Sequence, residues 1–133
     1  MVDSGILFQT VEHLFQYKKA SYFNDAHTAK LILNAKTPRI AKALGKKVKD
    51  FDEQLWTQVA VQHMHKACTL KFEQNRELAA KLRDIRGTII EANPGDSFFS
   101  CGLSINDPNL TDQAKWKGPN HLGTILSNLR DSL

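Results

Sequence analysis

Apolar positions recur at helical spacing through most of the chain, and polar cap residues divide them into segments. Thr10 precedes a run through Ala20 that reads as one short helix. Asn24 or Asp25 can cap a second helix to about residue 35, with Ala26, Ala29, Ile32 and Leu33 at helical intervals. Thr37-Pro38 gives a cap followed by proline at the first helical position, and Gly45 gives a stop, so the spacing predicts a helix over about 38–44. Asp50 or Asp52 opens the longest helix, to about Gln74. Its apolar residues Leu55, Trp56, Val59, Met64, Ala67, Leu70 and Phe72 are not confined to one face. Asn75 caps another helix through about Ile85, with Leu78, Leu82 and Ile85 on one side and Arg86-Gly87 ending it.

The texture then changes. Residues 88–92 are short and β-prone, Asn93-Pro94-Gly95-Asp96 is a turn, and residues 97–105 can hold a second short strand. Residues 106–119, with Asp107-Pro108 and Gly118-Pro119, read as a long loop of the kind that is often functional. Asn120 caps a last helix with Leu122, Ile125, Leu126 and Leu129 inward. The expectation is a predominantly helical α+β fold with a small β element, one domain over 1–133.

At 133 residues the chain has the size of one ordinary domain, and 41% apolar content supplies a core. No apolar run approaches the roughly 20 residues of a membrane span, so no membrane partner is expected. The first residues lack the basic start and apolar stretch of a signal peptide. Cys68 and Cys101 form neither a disulfide framework nor a metal pattern. Both points favour an intracellular, cytoplasmic protein. The net charge of +4 favours an anionic ligand such as a nucleotide, without the dense basic stripe of a dedicated nucleic-acid binder. Lys46, Lys47 and Lys49 make the tightest basic cluster, ordinarily a solvated loop after a helix.

Glu12, Gln16 and Lys19 stand at i, i+4 and i+7, within about 60° of one another on a helix. A carboxylate, an amide and an amine on one face are either a reactive surface or a solvated Glu–Lys face. Glu91 and Asp96 flank the Pro94-Gly95 turn, where an acid either does acid/base work or caps the turn. His63 and His65 are two apart, hence on different helix faces, and the spacing rejects a metal pair. Cys101 lies in an apolar stretch and reads as packing. No Gly-rich loop precedes a helix, so a Rossmann dinucleotide site is not expected. Gly118-Pro119-Asn120 is either an anion site or a plain helix start.

The order of segments resembles the YbiA-like family, also called NADAR (NAD- and ADP-ribose-associated). Thr10, Glu12, Phe15-Gln16 and Lys19-Ala20 match its first motif. Ala29, Ile32-Leu33, Pro38 and Ala41-Lys42-Ala43-Leu44-Gly45 match the next. Trp56, Met64 and Lys71-Phe72-Glu73-Gln74-Asn75 follow, then Glu91-Ala92-Asn93-Pro94-Gly95-Asp96. Trp116-Lys117-Gly118-Pro119-Asn120-His121-Leu122-Gly123 and Arg130 close the pattern. Each piece is weak alone; five in one order, over about 5–131, are specific.

The resemblance implies hydrolysis of an N-glycosidic bond with no metal or organic cofactor. Family members act on early riboflavin-pathway intermediates or remove ADP-ribose from guanine in nucleic acid. Carried over, Glu12, Lys19 and Asp96 are the reactive residues, and Gln16, Phe99, Lys71, Asn75 and Asn120 contact substrate. The implied partner is a nucleotide or ADP-ribose-like small molecule, with ADP-ribosylated nucleic acid as an alternative. Four departures stand out. The chain begins almost at the Glu-bearing helix, with Gly5 to Gln9 left of the preceding strand. Phe99 stands for the family's Trp, Ser100 for a Gly, and Ala60 for an Arg. They leave two alternatives open: a member that binds nucleotide without cleaving it, and a helical protein-interaction domain. A second copy of the chain is one way to cover apolar surface left by a short start, which makes a homodimer an option.

Overall fold

A hairpin opens the chain: β1 (Val2–Asp3) pairs antiparallel with β2 (Ile6–Leu7), Val2 opposite Leu7 and Asp3 opposite Ile6. Ser4 (φ 51) and Gly5 (φ 82) turn it, the positive φ pair that a two-residue hairpin requires. The small β element is therefore at the start. The strands expected at 88–92 and 97–105 are not formed, because both segments bond to side chains and loop backbone instead. The computed structural model describes residues 1–133 and divides into two units, Met1–Gln74 and Asn75–Leu133.

The first unit holds α1 (Val11–Tyr22), α2 (Ala26–Leu33), α3 (Pro38–Gly45) and α4 (Glu53–Glu73). Each starts on a side-chain cap, from Thr10, Asp25, Thr37 and Asp52 respectively, that accepts a backbone N–H three residues on. α1 is the hub, packing on α2, α3 and α4. Ala20, Ala29, Ala35 and Ala41 surround the fully buried Ile32, so small side chains let the helices close on one another. On α4 the buried positions Trp56, Ala60, Met64, Ala67 and Cys68 form a single stripe, more orderly than the sequence pattern. Leu55, expected to add apolar packing, is exposed. His63 stacks on Trp56 with ring centroids 5.2 Å apart, and Trp56 also meets Phe15 and Tyr22.

Three polar contacts fix these parts. Lys18 pairs with the buried Asp3 at 2.7 Å, tying the hairpin to α1. Gln74 donates to Val2 O and accepts from Val2 N, so the hairpin's outer backbone is satisfied. His13 has no exposure; its Nε2 lies 2.9 Å from the Ala35 carbonyl, which can only accept. Nδ1 lies 2.7 Å from the Thr10 hydroxyl, so both ring nitrogens are partnered.

Asp25 does more than cap α2. It accepts from the Thr28 hydroxyl, the Thr28 N–H and the Lys49 N–H, which hold its carboxyl down to about 2. A depressed carboxylate contributes stability that is complete above the unfolded value and lost as pH falls through the folded one. Urea stability should therefore fall between pH 3.8 and about 2, and Asp25→Asn should flatten that part of the profile. An unchanged slope in the variant would remove Asp25 as the cause.

The second unit contains α5 (Arg76–Asp84), a 3-10 turn at Gln113–Lys115 and α6 (His121–Ser132), with α5 and α6 in contact. Leu82, Ile125 and Leu129 are buried as expected, while Leu122 and Leu126 are only half-buried. Neither Asn75 nor Asn120 makes the side-chain cap expected of it. Arg130 donates to the Ile85 carbonyl at 3.1 Å and to the Gly87 carbonyl, closing the end of α5. No helix is long and apolar enough to cross a membrane.

Candidate functional site

The first turns of α1 carry the polar face that the spacing predicts. Gln16 Nε2 donates to Glu12 Oε1 at 3.4 Å. Gln16 is 6% exposed, and its Oε1 has no partner. A buried amide oxygen without a donor costs about 1–3 kcal/mol, so it is a natural acceptor for a ligand N–H or O–H. Gly45 makes this arrangement fit. A Cβ there would lie 1.9 Å from Gln16 Oε1 and 2.6 Å from Cδ. Gly45 has been read as a stop signal, but it is the last residue of α3 and has no positive φ; its value is close approach.

Lys19 continues the face one turn on. Its Nζ sits 4.5 Å from the centroid of the Phe51 ring. Burial holds its pKa below the ordinary lysine value; Glu12 opposes the shift and Lys46 adds to it. The result is an amine moved toward its nucleophilic neutral form, beside a carboxylate that stabilises positive charge. Phe51 and Lys46 have no part in the helical-face pattern, and Gly45 was legible as a helix stop and as part of a matched motif, not as the contact of Gln16. Lys71 lies in the last turn of α4, with Nζ 5.6 Å from the Phe72 ring, and Asn75 is exposed ahead of α5. Ala60 is buried in the stripe of α4 that also holds Trp56 and Met64.

In the second unit Asp96 is a turn organiser. Its Oδ1 accepts from the N–H groups of Phe98 and Phe99 at 2.8 and 2.9 Å. The Ser100 hydroxyl has no exposure, lies 2.7 Å from the Asn93 and Asp96 carbonyls, and accepts from Gly102 N–H. Ser100 thus staples the loop that carries Asp96. Phe99 meets Phe98 edge-on at 4.8 Å. Asn120 is 2% exposed and stands at φ 57. Its Oδ1 accepts from Glu91 N–H and its Nδ2 donates to the Ile89 carbonyl, so it clasps residues 89–91. Gly123 leaves room for that clasp, since a Cβ would meet Ile89 O at 2.2 Å. The structure therefore brings Glu12, Gln16 and Lys19 together on α1, and groups Asp96, Phe99 and Asn120 within the second unit.

A family model described as the NADAR domain matches residues 1–133. The protein irg-1 of Caenorhabditis elegans is 35% identical over 129 residues, 95% of this chain. The chain spans only 61% of that relative's length. N-glycosidase R617 of Acanthamoeba polyphaga mimivirus is 29% identical over 125 residues, covering 93% of this chain and 74% of the viral protein. N-glycosidase YbiA of Escherichia coli (strain K12) is 30% identical over 130 residues, covering 97% of this chain and 72% of the bacterial one. The NMR structure of E. coli YbiA superposes with a TM-score of 0.75 at 29% identity, over 97% of this chain and 69% of that one.

Proposed function

This chain belongs to the NADAR domain family, and from that membership we propose that it hydrolyses the N-glycosidic bond of a nucleotide-derived substrate. The observation that carries the reading is the α1 face, where Lys19, shifted by burial toward its neutral form, shares a surface with Glu12 and Gln16. Relatives named as N-glycosidases support the same reaction class.

The chemistry follows from the bond. Breaking a C1′–N bond builds positive charge on the sugar, and the Glu12 carboxylate stabilises it. The neutral Lys19 amine attacks C1′ as the bond electrons leave with the base, which takes up a proton. Opening of the sugar ring gives a protonated Schiff base on Lys19. Water then adds to that carbon, the C–N bond to Lys19 breaks, and the free sugar leaves with the amine restored. Asp96, matched to the third reactive position of the family, is assigned the proton delivered to the base. Gln16 Oε1 accepts from a sugar hydroxyl or base N–H, and Phe99, Lys71, Asn75 and Asn120 are the remaining family-matched substrate positions. The substrate is a riboflavin-pathway intermediate or ADP-ribosyl-guanine.

The test is incubation with ADP-ribose, NAD, GMP, riboflavin-pathway intermediates and ADP-ribosyl-guanosine, followed by mass spectrometry. Base release from one of these is expected, with a sugar adduct on the Lys19 peptide after borohydride. Release without an adduct removes the Schiff-base step; no release from any of them overturns the reading. The rate should rise with pH as Lys19 loses its proton, below the ordinary lysine range. Lys46→Gln removes a like charge, so it should raise the Lys19 pKa and move that limb to higher pH.

A further inference from the structure

The loop between α3 and α4 presents an aromatic ring to the reactive amine. Lys19 Nζ stands over the face of Phe51, 4.5 Å from the ring centroid. That loop is held at several points along its length. Val48 is buried, and the Lys49 N–H donates to Asp25 Oδ2 at 3.0 Å. Asp50 turns the chain at φ 57, and Asp52 accepts the Leu55 N–H at 3.2 Å as the cap of α4. Phe23 meets the Phe51 ring edge-on at 5.3 Å, and Phe23 in turn packs on Trp56 of α4. Packing thus sets the ring in place, although Phe51 is 42% exposed. Two further charges act on Lys19, Glu12 from its own helix and Lys46 from the cap of α3. On the Phe51 side, Lys47, Lys49 and Asp50 are exposed, and Asp52 is engaged with Leu55. On α4, His63 stacks on Trp56 and feels Lys18 and Lys66.

We propose that Phe51 is a positioning residue for Lys19: its ring face holds Nζ whenever that nitrogen carries positive charge and releases it when the nitrogen is neutral. The physical reason is the ring quadrupole. Its negative face attracts a cation and has no comparable hold on a neutral amine. In the glycosidase reading, on which the role in turnover rests, Nζ is charged twice. It is an ammonium at rest and a protonated Schiff base after attack; between the two it is the neutral nucleophile. The ring therefore holds the resting side chain, frees it for attack, and favours the cation that forms on the same nitrogen. Its attraction for the ammonium opposes loss of the proton, an effect that burial and Lys46 outweigh. Phe51 stands outside the matched family motifs, and it touches the reacting nitrogen of the protein rather than the substrate.

The experiment has two arms. In the first, without substrate, the protein is acetylated with acetic anhydride from about pH 6 to 11 and the Lys19 peptide is quantified by mass spectrometry. Phe51→Leu keeps an apolar side chain and removes the π face. Its Lys19 curve should move to lower pH by about 0.5–1.5, because the ammonium loses its partner. Phe51→Tyr keeps the face and should follow the wild type, and labelling of Lys71, over the Phe72 ring, should be the same in all three proteins. A Leu curve that stays in place or moves to higher pH, or a Tyr curve that moves with it, overturns the proposal. So does an equal displacement at Lys71. The second arm measures turnover on whichever substrate the wild type cleaves. Phe51→Leu should lower kcat by about 3- to 30-fold on the high-pH plateau, with KM within about twofold of the parent and Phe51→Tyr restoring the rate. The Leu variant holds more neutral amine at any pH, so titration cannot produce that loss. An unchanged kcat overturns the role of Phe51 and leaves the glycosidase reading standing. Base release by none of the proteins, with the Lys19 curve displaced in Phe51→Leu, overturns the glycosidase reading and upholds the ring's hold on the ammonium.

Discussion

Glu12→Gln is expected to lower base release by about 10²–10³-fold while Tm stays within a few degrees of the parent protein. The substitution keeps shape and removes charge, so what is lost is the group that meets the developing positive charge at C1′. The favourable charge lost from the first turn of α1 contributes about 0.3–1 kcal/mol. A pH profile separates the catalytic effect from an indirect one. Glu12 raises the Lys19 pKa, so its removal lowers that pKa and moves the amine's limb to lower pH. Lys46→Gln moves it the other way. If Glu12 acted only by tuning Lys19, raising the pH would not matter and the variant would be active wherever the amine is neutral. A variant with full turnover at its own optimum would end the assignment of Glu12.

The second large effect is expected at Gly45, which touches no substrate in the proposed chemistry. In an exposed helix Gly→Ala is favourable by about 1 kcal/mol. Here the added Cβ would meet Gln16 Oε1 at 1.9 Å, Cδ at 2.6 Å and Cγ at 3.2 Å. No rotation of the amide alone clears three successive atoms, so the side chain has to leave its position and give up its bond to Glu12. Overpacking of this kind costs about 1–3 kcal/mol, which exceeds the propensity gain. Gly45→Ala should therefore lower Tm by several degrees and base release by tenfold or more. Gln16→Ala in the same background should recover Tm without recovering activity, because it removes the collision and the orphan acceptor together. A Gly45→Ala protein with parental Tm and turnover would show that Gln16 is free to move and has no positioning role.

Much of the helical architecture was legible because it depends on local interactions. Thr10, Asp25, Thr37 and Asp52 cap helices through bonds spanning three residues, and Pro38 fixes the start of α3. The Glu12–Gln16–Lys19 face follows from helical periodicity alone. The family motifs added the reaction class, which no spacing argument reached.

Other features depended on partners far along the chain. Residues 88–92 have strand propensity, but the N–H of Glu91 and the carbonyl of Ile89 bond to the Asn120 side chain, so no ladder forms. Asn120 has the composition of a helix cap, yet its amide is drawn about thirty residues back along the chain, and Gly123 leaves the space for it. Phe51 and Lys46 act on Lys19 across α3 and the following loop, where no periodicity connects them. The sequence by itself determined which segments are helices, which face of α1 is polar, and the family. Only the tertiary structure decided that Lys19 is desolvated and that Gln16 has an unmet acceptor against Gly45. Burial and close approach arise when distant segments pack, and local pattern carries no record of either.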